Sequence, residues 1–91
     1  MSAHVRHNSD EKRFELDTSA GLAVADYRLS EGVMTIYHTE VPVLLRGGGI
    51  GARLVRGALG EARGLGVKIV PQCWFVREFI DRNPDFADLL R

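Results

Sequence analysis

The chain has 91 residues, of which 45% are hydrophobic, and its 12 basic residues balance its 12 acidic ones. This length suffices for one domain with one modest core. The neutral balance argues against a nucleic-acid-binding protein, and no apolar run approaches the roughly 20 residues that span a bilayer. The one cysteine, Cys73, has no partner for an internal disulfide, and the polar first residues lack the apolar core of a signal peptide. We therefore expect a cytoplasmic protein that binds neither nucleic acid nor membrane.

Strand patterns joined by short turns occupy the first half of the chain. The strands are expected at residues 13–17, 22–29 and 33–41, after a polar start with a short strand near 5–7. Clusters of glycine, serine and threonine between them are typical of tight turns. Because parallel neighbours need long connections, these short turns predict an antiparallel meander.

A helix, a short strand and a second helix are predicted in the second half. Apolar side chains recur at helical spacing over residues 50–65, and Gly66 is suited to the C-terminal cap. Three glycines inside this helix each cost about 1 kcal/mol relative to alanine. Close packing against the sheet would account for them, at Gly57, Gly60 and Gly64. Residues 67–70 form a buried strand and residues 75–82 a helix that ends before Pro84. The element order is β-β-β-α-β-α.

The most informative segment is the glycine loop, residues 46–51, which carries four glycines between a strand and a helix. Glycine lets backbone N–H groups approach an anion, and a helix N-terminus adds a favourable dipole. A phosphate-binding P-loop needs Gly-Lys-Ser/Thr, whereas Gly51-Ala52-Arg53 stands here. A dinucleotide fingerprint needs a preceding parallel strand and an acid about 20 positions later, and residues 69–72 contain no acid. A glycine-rich turn that binds nothing is a further alternative.

A third pattern, Arg-x-x-Gly-x-Gly at Arg46, Gly49 and Gly51, resembles the pyrophosphate loop of the GCN5-related N-acetyltransferases. Further segments resemble the small, single-domain branch of this superfamily, at residues 38–42, 62–63, 70–76 and 83–84. The resemblance covers residues 13–90 and implies a minimal acyl-CoA N-acyltransferase fold. This fold is α/β (α+β), with an antiparallel meander followed by β-α-β-α. We expect residues 13–91 to form that domain and residues 1–12 to be a polar, flexible N-terminus.

The resemblance implies acetyl-CoA as the substrate, lying where the strands 33–41 and 67–70 separate. Its pyrophosphate would accept hydrogen bonds from the glycine loop, and its pantetheine amides would pair with the preceding strand like an added strand. The implied binding residues are Thr39, Val41, Arg46, Gly47, Gly48, Gly49, Ile50, Gly51 and Ala52. Arg46 would steady a phosphate, unless it is only solvated as most surface arginines are. The three histidines have no metal-ligand spacing, so we expect no metal.

Cys73 is the foremost catalytic candidate, because the resemblance implies a cysteine here that carries the acetyl group. It lies between a strand end and a helix start, where the helix dipole favours a thiolate. A cysteine that only lines the coenzyme site, or a plain core cysteine, is the alternative. His38 and Glu40 are candidate bases. Strict alternation places His38 on the face of Met34 and Ile36, where a core histidine is equally compatible. Glu40 lies on the same alternating face, and its alternative is a solvated carboxylate.

Two departures from the larger family members bear on the chemistry. Those members use a tyrosine in the last helix to protonate the leaving CoA, whereas the aromatic residue in that helix of this sequence is Phe79. Trp74 and Phe75 are expected in the core or beside the coenzyme. They also place two helices between the first two strands, whereas residues 18–21 are only a turn. The acceptor groove should therefore be open, which suits an amine on a protein or peptide.

The sequence thus predicts an N-acetyltransferase that takes an acetyl group from acetyl-CoA to an unidentified amine. A non-catalytic module that binds CoA or acyl-CoA is the alternative, and a pure interaction domain is a more distant one. We expect a monomer or a weak homodimer.

Overall fold

The computed structural model describes residues 4–91, in which a five-stranded sheet carries two α-helices. The strands are β1 (Arg6–Asn8), β2 (Arg13–Thr18), β3 (Gly21–Ser30), β4 (Val33–Glu40) and β5 (Lys68–Pro71). The helices are α1 (Ile50–Leu65) and α2 (Trp74–Arg82), and 3₁₀ segments lie at Val43–Leu45 and Pro84–Leu89. The strands lie in chain order, with antiparallel pairs from β1 to β4 and a parallel β4–β5 pair. The predicted meander and the predicted fold class are confirmed.

The hydrophobic core lies on one face of the sheet. Side chains alternate along β2 and β3, so that Phe14, Leu16, Ala23, Ala25 and Tyr27 are buried together. The buried side chains of both helices belong to the same cluster; they are Leu54, Val55, Ala58, Leu59, Ala62, Val76, Phe79 and Ile80. Burial of each large apolar side chain contributes about 1.5–3 kcal/mol, and this holds the helices on the sheet. The opposite face, which we call the open face, carries the half-buried or exposed side chains of Arg13, Asp17, Val24, Asp26, Arg28 and Thr35.

The glycines of α1 have different roles. Gly66 has a φ of 74° and donates its N–H to the carbonyl of Ala62, which confirms it as the C-terminal cap. A Cβ at Gly57 would lie 2.3 Å from Val5, which precedes β1, so only glycine lets the N-terminal segment cross the helix. Around Gly60 and Gly64 the described part of the chain leaves open space. The expected packing of these glycines against the sheet is therefore wrong.

A register shift interrupts the pairing of β3 with β4. Tyr27 pairs with Ile36, but the preceding residue, Asp26, pairs with His38. Tyr37 is thus an extra residue on β4, which is the geometry of a β-bulge.

The bulge changes which side chains of β4 face the core. Before it, Met34 and Ile36 are buried. After it, Thr39 pairs with the buried Ala25 and so takes the core face, while His38 lies on the open face with half of its side chain exposed. The expectation that His38 shares a face with Met34 and Ile36 is wrong, because one inserted residue reverses every later side chain.

Both ends of the described chain lie along sheet edges. β1 pairs with β2, so the short strand expected in the N-terminal part is confirmed; the division into residues 1–12 and 13–91 stays a prediction. At the other end, Leu90 forms a bridge to Ile69, and the N–H of Arg91 donates to the carbonyl of Ile69 at 3.1 Å. None of the helices within residues 4–91 has the length and apolar character needed to cross a membrane.

Candidate functional site

A cavity of about 650 Å³ opens between the glycine loop, the end of β4 and the facing sides of α1 and α2. The end of β4 and the loop contribute Thr39, Glu40, Val41, Leu45, Arg46, Gly47, Gly49 and Gly51. The helices contribute Ala52 and Arg56 from α1 and Phe75, Glu78, Phe79 and Arg82 from α2, followed by Asn83. Cavities of about 300–1,000 Å³ hold cofactors and other small molecules, so this one is large enough for such a ligand.

The backbone of the glycine loop requires glycine at several positions. Gly47 and Gly49 have φ values of 85° and 88°, in the left-handed region that other residues rarely adopt. A Cβ at Gly51 would lie 2.8 Å from the ring of Phe75, so α1 and α2 approach closely here only because residue 51 is glycine. From Gly47 to Gly51 the loop therefore presents backbone to the cavity rather than side chains.

The electrostatics at the start of α1 favour an anion. The first N–H groups of a helix have no intrahelical acceptor, and the dipole adds partial positive charge there. Within residues 4–91 no side chain caps this N-terminus, and its first turn carries no acidic residue.

Three arginines and two glutamates line the cavity, which gives it a net positive charge. The Nε of Arg46 donates to the carbonyl of Val41 at 3.1 Å, which holds the loop against the end of β4. Arg56 donates to Asn83 Oδ1 at 2.9 Å and lies over the ring of Phe79, so it ties α1 to the end of α2. Arg82 is more exposed and has an ion-pair distance of 3.8 Å to Glu78.

At the Thr39 end of the cavity, which we call its inner end, Thr39 contacts Cys73, which does not itself line the cavity. Thr39 Oγ1 and Cys73 Sγ are 3.5 Å apart in a partly buried position. Cys73 is the N-cap residue of α2, and its N–H donates to the carbonyl of Ile36 at 2.9 Å. Cys73 thus contacts β4 on both sides of the bulge, where β4 and the chain after Pro71 separate.

His38 and Glu40 form a pair on the open face. His38 Nε2 lies 3.2 Å from Glu40 Oε1, and both side chains are at least half exposed. Glu40 also borders the cavity. The two candidate bases lie on one face as expected, but this is the open face, so the expectation that Glu40 shares the face of Met34 and Ile36 is wrong for the same reason as for His38. The Thr39–Cys73 contact lies on the opposite face.

Comparison with known proteins agrees with this geometry. Residues 13–89 match the family model described as GCN5-related N-acetyl-transferase. The chain belongs to this family. Protein NATD1 from mouse and from chicken are each 29% identical over 83 residues, which cover 88% of this chain and 76% of either relative. The NMR solution structure of a GCN5-like N-acetyltransferase candidate from Staphylococcus aureus superposes with a TM-score of 0.73, at 25% identity, over 97% of this chain and 87% of that one.

The acetyltransferase places most of its sequence-predicted binding residues on one cavity. Seven of the nine line it: Thr39, Val41, Arg46, Gly47, Gly49, Gly51 and Ala52. Gly48 and Ile50 belong to the same loop but do not line the cavity. Trp74 is 69% exposed, so its expected place in the core is wrong, and it is not among the residues that line the cavity.

Sequence reasoning missed the charged residues that the helices contribute to this acetyltransferase cavity, Arg56, Glu78 and Arg82. Arg56 and Ala52 are four residues apart on α1, and Arg82, Glu78 and Phe75 lie three or four residues apart on α2. Such spacing puts each set on one side of its helix. Extending the helical stripes from the glycine loop would have found them.

The described residues of the acetyltransferase include no group of three or more side chains placed to hold a metal ion.

Proposed function

We propose that the protein binds acetyl-CoA in this cavity and transfers the acetyl group to a primary amine. The observation that carries the proposal is the continuity of the cavity. It runs from a glycine loop at an uncapped helix N-terminus to a threonine in contact with the one cysteine of the chain. The chain's membership of the GCN5-related N-acetyltransferase family supports acetyl-CoA as the acyl donor.

Acetyl-CoA fits the cavity with its pyrophosphate at the glycine loop. The N–H groups of Gly49, Gly51 and Ala52 are the donors for the phosphate oxygens, because they lie at the first turn of α1. The pantetheine arm then follows the backbone of Thr39 and Val41, and the thioester reaches the point where β4 and β5 stop pairing. The net positive lining suits the charge of the coenzyme.

We assign Cys73 as the nucleophile of a two-step transfer. Its thiolate attacks the thioester carbonyl, a new S–C bond forms, the bond from the acetyl carbon to the CoA sulfur breaks, and CoA leaves as a thiolate that takes up a proton. A neutral amine then attacks the carbonyl carbon of the acetylated cysteine and gives up a proton to the base. The N–C bond forms, the bond from that carbon to the Cys73 sulfur breaks, and the Cys73 thiolate is released. The backbone N–H near Val41 is the donor for the oxyanion of each step.

Glu40 is the base that we propose for the acceptor amine, and His38 holds its carboxylate. The amine must lose a proton to become the nucleophile and again after the N–C bond forms. Glu40 borders the cavity and also reaches the open face, so it can accept such a proton from an acceptor that arrives there.

The acceptor we propose is an amine on a protein or peptide. β2 and β3 are joined by a turn at residues 19–20, and the described part of the chain has no helix between these two strands. An extended chain has room there, whereas a small metabolite would find few enclosing walls.

Phe79 favours a second candidate, a module that binds acetyl-CoA without catalysis. It borders the cavity in α2, and its ring has no proton to give to a leaving thiolate. In that case the cavity senses or carries the coenzyme and no acetyl group moves.

Calorimetric titration with acetyl-CoA and intact-mass spectrometry test the two candidates together. The proposal expects binding, an acetyl adduct on wild-type protein that is absent from Cys73→Ser, and acetylated lysines on an added protein. Binding without either acetylated product favours the module. No binding at millimolar acetyl-CoA would contradict both.

A further inference from the structure

We propose that the hydroxyl of Thr39 is a positioning group for Cys73 and donates a hydrogen bond to its sulfur when the thiol is ionised. The inference rests on the proposed role of Cys73 as nucleophile. It assigns to the Thr39 side chain a task distinct from that of its backbone, which lies beside the pantetheine arm.

The bulge of β4 creates this contact. If Tyr37 were paired as an ordinary residue of β4, regular alternation would turn His38 toward the core face and Thr39 toward the open face. With it, Thr39 lies beside Ala25 on the core face and its Oγ1 comes within 3.5 Å of the Cys73 sulfur. The bulge therefore turns the Thr39 hydroxyl toward the Cys73 sulfur.

A second contact fixes the sulfur relative to the hydroxyl. The N–H of Cys73 donates to the carbonyl of Ile36 at 2.9 Å, just before the bulge, and the sulfur meets Thr39 just after it. These two contacts, both with β4, restrict the conformation of the turn between β5 and α2. The hydroxyl of Thr39 can rotate to donate to a thiolate, which has no proton of its own.

Charged groups on the elements around Cys73 do not differ between the variants of the test. His38 and Glu40 flank Thr39 on β4, Arg77 and Glu78 lie in the first turns of α2, and Arg28 of β3 donates to Gln72 at 2.9 Å. The helix dipole of α2 also acts on the sulfur equally in each variant. A change on altering Thr39 alone thus reports on its hydroxyl.

The test is the rate of alkylation of the protein by iodoacetamide as a function of pH, followed by intact mass. The chain has one cysteine, so every adduct is on Cys73. Thr39→Val removes the hydroxyl and keeps the shape, while Thr39→Ser keeps the hydroxyl. Thr39→Ala serves as a second hydroxyl-free variant if Thr39→Val fails to fold.

Loss of the Thr39 hydroxyl should slow the alkylation of Cys73 near neutral pH and accelerate it where the thiol is fully ionised. Losing one hydrogen bond leaves about 5-fold less thiolate at neutral pH, but the remaining thiolate is about 2-fold more nucleophilic. Thr39→Val should therefore react about 2- to 3-fold more slowly near neutral pH and about 2-fold faster where the thiol is fully ionised. Thr39→Ser should follow the wild-type profile.

A Thr39→Val or Thr39→Ala profile that superposes on the wild type, or that is slower by the same factor at every pH, would overturn the inference. The same samples are incubated with acetyl-CoA to separate this result from the proposed function. Crossed profiles without any acetylated Cys73 leave the Thr39–Cys73 pair standing and remove the covalent step. Acetylated Cys73 with superposed profiles would support the covalent step and overturn the proposed role of the Thr39 hydroxyl.

Discussion

The glycine loop and the end of β4 bound the same cavity, but they are specified in different ways. The loop depends on local backbone geometry, since Gly47 and Gly49 adopt left-handed φ values that their own residue type permits. The end of β4 depends on its partner strand, since the bulge at Tyr37 exists only in the pairing with β3. The geometry of the loop depends on the identity of single residues, whereas a register shift depends on how two strands pair.

Substitution of Gly49 tests the loop and should have the largest effect. A β-branched residue at a φ of 88° carries about 2 kcal/mol of backbone strain, and the loop must rearrange to relieve it. Gly49→Val should weaken the affinity for acetyl-CoA about 30-fold in a calorimetric titration.

Gly60→Ala is the matched control for the loop, because Gly60 is a helical glycine of α1 with open space around it among residues 4–91. It should leave the affinity unchanged and raise the free energy of unfolding by about 1 kcal/mol. Wild-type affinity in Gly49→Val would show that the pyrophosphate does not bind at the loop.

Substitutions of Thr39 and His38, which lie on opposite faces of β4, test the bulge. Thr39→Trp should have the next largest effect on the affinity for acetyl-CoA. Thr39→Trp places a large ring at the inner end of the cavity, and overpacking of this kind costs about 1–3 kcal/mol. The affinity for acetyl-CoA should fall about 10-fold. His38→Trp places the same ring on the open face and should change the affinity less than 2-fold, on the order of measurement error. If His38→Trp weakens binding more than Thr39→Trp, the register of β4 after Tyr37 is not the one described.

The contrast explains how much of this molecule the sequence could predict. The meander, α1, its cap at Gly66 and the place of Cys73 before α2 follow from alternation, helical period and turn residues, and they are confirmed. The sequence predicts the wrong face for His38, because no residue of the segment 33–40 indicates an extra residue in the strand. The contribution of Arg56 and Arg82 to the cavity depends on the approach of two helices, which Gly51 permits but does not by itself reveal.

Substitution of Glu15 should have a smaller effect; this residue of β2 lies on the open face between Arg6 of β1 and Val24 of β3. Its carboxylate is buried and accepts hydrogen bonds from Arg13 at 2.6 Å and Asn8 at 3.0 Å. The hydrogen bonds from Arg13 and then Asn8 lower the pKa of Glu15 below its ordinary value of 4.5. Glu15→Gln should lower the free energy of unfolding by about 1 kcal/mol at neutral pH.

The pH dependence of this difference has a definite sign. Because the folded pKa is lowered, the carboxylate stabilises the fold above the unfolded value and loses this effect as the pH falls through the folded value. Urea midpoints of wild type and Glu15→Gln should therefore converge below pH 4.5. A constant difference down to lower pH would mean that the charge of Glu15 does not stabilise the fold.

Asp88 should give the smallest effect, because it does not line the cavity and is well exposed. Arg63 of α1 binds both carboxylate oxygens of Asp88, at 2.6 and 3.0 Å, and this hydrogen bonding lowers the pKa of Asp88. Asp88→Asn should lower the urea midpoint slightly at neutral pH, and the difference should vanish as the pH falls below the ordinary value of 3.8. The affinity for acetyl-CoA should not change; a loss of affinity would show that the Pro84–Leu89 segment is coupled to the cavity.

A crystal structure of the complex with acetyl-CoA tests the central claim most directly. We predict phosphate oxygens within hydrogen-bond distance of the N–H groups of the glycine loop and the first turn of α1. The acetyl carbonyl should lie beside Thr39 and Cys73, with His38 on the opposite face of β4. A coenzyme bound elsewhere, or a thioester that lies away from the Thr39–Cys73 contact, would contradict the account.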